Sequence, residues 1–148
     1  MMKKNILVFL LLLSYFLVFS QSTNSKWSDL FSYNNVLAFK EKDGKIIAAT
    51  ENGVFYYNTI SGEITKLSKA NGLHEVKISA FDYDAATNTA IIGYKSGNLD
   101  VVTSDGVTYV VDIPLSQSYT GSKTINNISI NGDKAVISVG YGVSIFNI

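Results

Sequence analysis

The amino-acid sequence predicts an all-β protein made of β-propeller blades, two complete four-stranded blades and most of a third. Three observations carry this. Gly53, Gly97 and Gly142 recur at spacings of 44 and 45 residues. Each is preceded by an apolar run (Ile46–Ala49, Ala90–Gly93, Ala135–Ser138) and followed by a second (Val54–Tyr57, Leu99–Val102, Val143–Phe146). Beyond residue 36, no stretch longer than one turn has helical spacing. A period of roughly 40–50 residues is that of one propeller blade. A single blade cannot bury both faces of its sheet, so the repeat implies an array.

The first twenty residues read as a secretory signal peptide. Lys3 and Lys4 precede the apolar run Ile6–Phe19, and Val18 and Ser20 stand before an expected cleavage site. That run is shorter than the roughly 20 residues a spanning helix needs. Residues 21–35 form a polar extension ending in the aromatic stretch Trp27-Ser28-Asp29-Leu30-Phe31-Ser32-Tyr33, expected to pack on the first blade or to aid ring closure.

Residues 36–148 are the partial propeller, with blades near 36–67, 77–111 and 125–148. Expected strands are 36–41, 45–50, 53–58 and 63–67; 77–83, 88–94, 97–102 and 107–111; and 125–131, 134–139 and 142–147. They are rich in β-branched and aromatic residues and bounded by Asp, Asn, Gly and Ser. Lys42-Asp43-Gly44-Lys45 and Asn131-Gly132-Asp133-Lys134 are two-residue hairpin signals. Phe39, Phe81 and Ile130 lie 14, 16 and 12 residues before the glycines, differences that keep the period-2 parity of a strand. The glycines themselves are expected in tight turns at positive φ. Because the sequence stops after the third strand of a third blade, and propellers close with about 4–8 blades, it reads as the N-terminal fragment of a larger propeller.

Composition excludes several functions. All twelve basic residues are lysines; without Lys3 and Lys4, ten face twelve acidic residues, a net charge of −2. With neither arginine nor a basic stripe, nucleic acid is not an expected partner. There is no cysteine, so an exported chain has to be held by its core and ladders rather than by disulfides.

Trp27 to Val36, the run Lys45-Ile46-Ile47-Ala48-Ala49-Thr50-Glu51-Asn52-Gly53-Val54-Phe55-Tyr56-Tyr57-Asn58, and the later Ala70-Asn71-Gly72-Leu73 and Ile78–Asp84 resemble the start of PorZ-type proteins of the type IX secretion system. The central run is also similar to regulator-propeller repeats of sensor-kinase ectodomains. The PorZ resemblance implies two propellers and a β-sandwich, in a non-enzymatic component at the outer membrane. Its implied partners are other secretion-system proteins or lipopolysaccharide, in attaching secreted cargo, with membrane association only through partners. The sensor resemblance implies the periplasmic propeller of a hybrid two-component histidine kinase.

No catalytic, cofactor or metal residues are assigned; the only assigned positions are the turn glycines Gly53, Gly97 and Gly142. His74, the only histidine, lacks a nucleophile motif and reads as a loop residue between blades. Asp82, Asp84 and Asn88 hint at a calcium loop but lack its central glycine and terminal glutamate, and read as hairpin-turn residues. Tyr56, Tyr57, Tyr94 and Tyr141 could stack on sugars, and read first as cross-strand packing. A propeller lyase or glycosidase would need clustered carboxylates or a His–Tyr pair, which the residue pattern does not suggest.

Overall fold

The computed structural model describes residues 32–148; the expected signal peptide and most of the extension lie outside the described residues. Eleven strands form three antiparallel sheets in simple up-and-down order. The first sheet is β1 (Val36–Lys42), β2 (Lys45–Thr50), β3 (Gly53–Asn58) and β4 (Ile64–Ser68). The second is β5 (Ile78–Asp84), β6 (Thr89–Tyr94), β7 (Leu99–Thr103) and β8 (Gly106–Val110). A one-turn helix α1 (Asp112–Leu115) precedes the third, which holds β9 (Ile125–Asn131), β10 (Lys134–Val139) and β11 (Gly142–Asn147). Each expected strand is present, with ends shifted by no more than two residues.

The sheets come closest along β1, β5 and β9, so these are the innermost strands of the blades. Side chains alternate between two cores. Ile47, Ala49 and Val54 of blade 1 meet Ile78, Phe81, Ala90, Ile92 and Tyr94 of blade 2. Ala80, Ile91, Leu99 and Val101 on the other face of blade 2 meet Ile125, Ile128, Ala135 and Ile137 of blade 3. Every residue of β6 is therefore buried, which explains why it reads as a continuous apolar run. Covering each of Ile91, Ile92 and Tyr94 contributes about 2 kcal/mol.

Polar groups bolt the blades together at the innermost strands. Lys40 Nζ of blade 1 lies 2.9 Å from Asp82 Oδ1 of blade 2. The Ile130 N–H of blade 3 donates to Asp82 Oδ2 at 2.7 Å. One largely buried carboxylate thus joins three sheets, and its pairing offsets the cost of burial. The blades are also stitched by Ile78 N–H to Glu51 O at 2.9 Å and Ser79 Oγ to Ile125 O at 2.6 Å.

The register corrects the alignment drawn from the glycines. Ala49 pairs with Val54 and Ser138 with Val143, whereas Gly93 pairs with Leu99. The β6–β7 connection is one residue longer, so the counterpart of Gly53 and Gly142 in blade 2 is Asn98, not Gly97. In the first strands the equivalent residues are Phe39, Phe81 and Ile128, opposite Ala48, Ile92 and Ile137, rather than Ile130. Gly97 (φ +95°) and Gly142 (φ +139°) lie in the left-handed half of backbone space, but Gly53 does not. Gly53 instead serves close approach, since a Cβ there would lie 2.8 Å from the Leu67 carbonyl oxygen. A Cβ at Gly97 would meet Lys123 O at 2.7 Å, so both conformation and space demand glycine.

The outward faces of the end blades differ from β6. Phe39 and Ile64 on blade 1 are 63% and 56% exposed, and Val143 and Ile145 on blade 3 are 65% and 70% exposed. These faces generate a paired prediction. Ile137→Ala, at a fully buried site, will lower unfolding free energy by about 3 kcal/mol, and Ile145→Ala will change it by less than about 0.5 kcal/mol, as read by urea denaturation.

Candidate functional site

Antiparallel order sends the β2–β3 and β6–β7 turns and the long connections 69–77 and 111–124 to one end of the blades. The short hairpins at 43–44, 85–88 and 132–133 lie at the other end. The long-connection end carries the densest polar network among the described residues.

Its centre is Asp100, fully buried in β7 on the face toward blade 1. Asp100 Oδ2 accepts the His74 backbone N–H at 2.9 Å and the Tyr94 hydroxyl at 2.5 Å. Asp100 Oδ1 lies 2.7 Å from His74 Nδ1. The His74 ring stacks on Tyr109, with centroids 4.6 Å apart and planes 16° from parallel. A buried carboxylate needs such donors; the two from His74 tie the 69–77 connection to the middle of blade 2, and the third comes from Tyr94 within the blade. Burial, and then the bonded carboxylate, push the Tyr94 hydroxyl far above the ordinary tyrosine range, so it stays a donor.

Glu75 forms the outer part. It accepts hydrogen bonds from Ser96 Oγ at 2.7 Å, from Tyr109 OH and from Asn98 Nδ2. Partial burial acts to raise its pKa, but the bonds from Tyr109, Ser96 and Asn98 outweigh it, and the net shift is downward. Tyr109 is pushed up to about 12, by desolvation first and then by Glu75. Beside this network, Lys95 Nζ pairs with Glu51 at 2.6 Å across the blade boundary. The 111–124 connection is gathered by Lys123, whose Nζ donates to the carbonyls of Ser116 and Tyr119 at 3.0 and 2.8 Å.

The arrangement is one of locks. His74 is half exposed, and its only side-chain hydrogen bond among the described residues is to Asp100. Its ring stacks on Tyr109, so the fold brings together a His–Tyr pair with Asp100 and Glu75 beside it, which the residue pattern did not suggest. Asp100 was not singled out in the sequence. The available signal was an acid interrupting Leu99-x-Val101-Val102, with one histidine in the chain to answer it. Glu75, Ser96, Asn98 and Tyr109 carried no such signal, because only the register brings them together.

The other candidates are dispersed. Asp82 is held by Lys40 and Ile130, whereas Asp84 caps its own turn through Ala86 N–H and Thr87. Asn88, at φ +54°, accepts from Tyr83 OH. Among the described residues no group of three or more His, Cys, Asp or Glu gathers as a metal site. The four tyrosines make no common platform. Tyr94 is in the core, Tyr56 packs partly against it, Tyr57 lies on the other face of β3, and Tyr141 stacks on Tyr119 at 4.5 Å in blade 3.

Two predictions follow from the network. Asp100→Ala leaves the His74 N–H and Tyr94 hydroxyl without their acceptor; it will lower stability by about 3 kcal/mol and speed amide exchange at His74. Glu75→Gln tests the outer part by pH. Its folded pKa lies below the ordinary glutamate value of 4.5, so its stabilisation is present above that value and is lost as pH falls through the folded pKa. The variant will be less stable than the parent by about 1 kcal/mol at neutral pH, and the two denaturation midpoints will converge in acid.

Comparison with known proteins supplies the context. Residues 46–148 match the family described as type IX secretion system PorZ, N-terminal β-propeller domain. No curated protein matches the chain. Among solved structures, PorZ of Porphyromonas gingivalis, described as an essential bacterial surface component of the type IX secretion system, aligns with a TM-score of 0.70 at 23% identity over 83% of this chain. The extracellular domain of a putative one-component system from B. thetaiotaomicron aligns with a TM-score of 0.60 at 14% identity over 82%. A computationally designed protein, Ika8, aligns at 0.54 with 17% identity over 76%. The chain spans 17%, 18% and 33% of those three structures' lengths, and the likenesses establish a shared blade architecture. With its repeat, its three meander sheets and the family match over 46–148, the chain belongs to the PorZ N-terminal β-propeller family of the type IX secretion system.

Proposed function

We propose that this chain acts as a non-enzymatic propeller module of type IX secretion, exported to the cell envelope and working as a scaffold or binding module at the outer membrane. The observation that carries the reading is the family match over residues 46–148. The chemistry of the long-connection end supports it. Asp100, His74, Glu75 and Tyr109 are engaged in holding loops, as suits a surface that presents loops for contact. Among the described residues no helix is long and apolar enough to cross a membrane. The proposed partners are other secretion-system proteins or lipopolysaccharide, in the attachment of secreted cargo.

A second reading, a periplasmic sensor propeller of a hybrid two-component kinase, rests on the likeness to B. thetaiotaomicron extracellular domains at TM-scores of 0.60 and 0.57. Deleting the gene in its host separates the two. The secretion reading predicts that cargo carrying the secretion signal disappears from the cell surface and accumulates in the periplasm, with return on complementation. Unchanged surface cargo together with an altered transcriptional response to an external glycan would overturn it in favour of the sensor.

A further inference from the structure

Three Asn-Gly pairs occur in the chain, Asn52-Gly53, Asn71-Gly72 and Asn131-Gly132. Asn-Gly is the pair in which a glycine amide nitrogen reaches the preceding side-chain amide with least steric hindrance, because glycine has no Cβ. The structure separates the three. The Asn71 amide is held on both sides: Oδ1 accepts from Ser68 N–H at 2.6 Å and from Ser68 Oγ at 3.2 Å, and Nδ2 donates to Lys66 O at 2.7 Å. The Asn52 amide donates to Ser32 O at 3.1 Å, and the following Gly53 is buried at the start of β3. Asn131 is exposed at the end of β9 and makes no side-chain hydrogen bond among the described residues. Gly132 is exposed in the two-residue turn at φ +64°, between the paired residues Asn131 and Lys134. Outside the ladder, its N–H is not among the backbone donors of the turns and loops.

We infer that Asn131 is a site of spontaneous covalent modification, deamidating through a cyclic imide, and that the fold protects Asn71 and Asn52 from the same reaction. The Gly132 amide nitrogen loses its proton to solvent base and attacks Asn131 Cγ. A C–N bond forms, the Cγ–Nδ2 bond breaks, and Nδ2 leaves as ammonia. Water then opens the ring at either carbonyl, giving aspartate or, with the chain rerouted through the side chain, isoaspartate. No oxidant or reductant enters the balance.

The position gives the reaction structural consequences. Isoaspartate adds one carbon to the main chain between β9 and β10, at the pair that closes the hairpin. It also displaces the Asp133 carbonyl, which accepts the Ile148 N–H at 2.9 Å beside the end of β11. Either product puts a new carboxylate two residues from Asp133.

The test is ageing of the purified full chain at mildly alkaline pH, followed by peptide mapping with mass spectrometry and an isoaspartate-specific methyltransferase assay. The Asn131 peptide is expected to convert faster than the Asn71 peptide by about tenfold or more, since several net-favourable hydrogen bonds must first release Asn71. In urea-unfolded chain the three rates should draw together, because the protection is structural. An Asn131 peptide no faster than Asn71 in the folded protein would overturn the inference. So would a ranking that urea leaves unchanged. Asn131→Gln supplies the control: it should abolish the fast phase and leave the denaturation midpoint nearly unmoved.

Discussion

Everything in this structure depends on one constraint: a twisted four-stranded sheet with apolar side chains on both faces has to be covered twice. Strand β6 meets it in full, since all six of its residues are buried, Ile91 toward blade 3 and Ala90, Ile92 and Tyr94 toward blade 1. No element inside a blade could provide that cover, because alternation sends every second side chain away from any single partner. The neighbouring blades provide it, and blade 2 is the centre of the described fold for that reason. The three-sheet bond at Asp82 and the backbone stitches at Glu51 and Ile125 then fix how the blades sit against one another.

The same alternation explains the polar network. At the equivalent position of the third strand, blade 1 has Phe55 and blade 3 has Ser144, while blade 2 has Asp100. A carboxylate at this buried place requires donors, and the 69–77 connection delivers His74 to supply two of them. The acid at a core position is therefore the counterpart of the long connection. Loop and strand are fastened by one group, which leaves Glu75 and Tyr109 at the rim as the part facing outward.

Much of the fold was legible in the sequence because strand signals are local. β-branched runs, Asp-Gly and Asn-Gly turns and the recurring glycines sit within a few residues of what they specify, so Lys45–Thr50 and Lys134–Val139 could be read directly. The register was not. The extra residue in the β6–β7 connection makes Asn98 the counterpart of Gly53, and a glycine one place away hid that shift. The tyrosines read first as packing and do pack, but their residue type does not say which face of a strand they occupy. The site was hardest to read because Asp100 and His74 are 26 residues apart and meet only once two blades are packed. A buried charge announces that it needs partners, but sequence spacing does not say where they come from.

Native-state amide hydrogen exchange tests the central claim most directly, because it reads the stability of each strand separately. If blade 2 is held by cover on both faces, the amides of β6 will be the slowest to exchange in the chain. Those of β1 and β11, each in a sheet with one outward face, will be among the fastest in the ladders. Equal protection across the three sheets, or β11 protected as strongly as β6, would contradict the account and mean that each blade stands by itself.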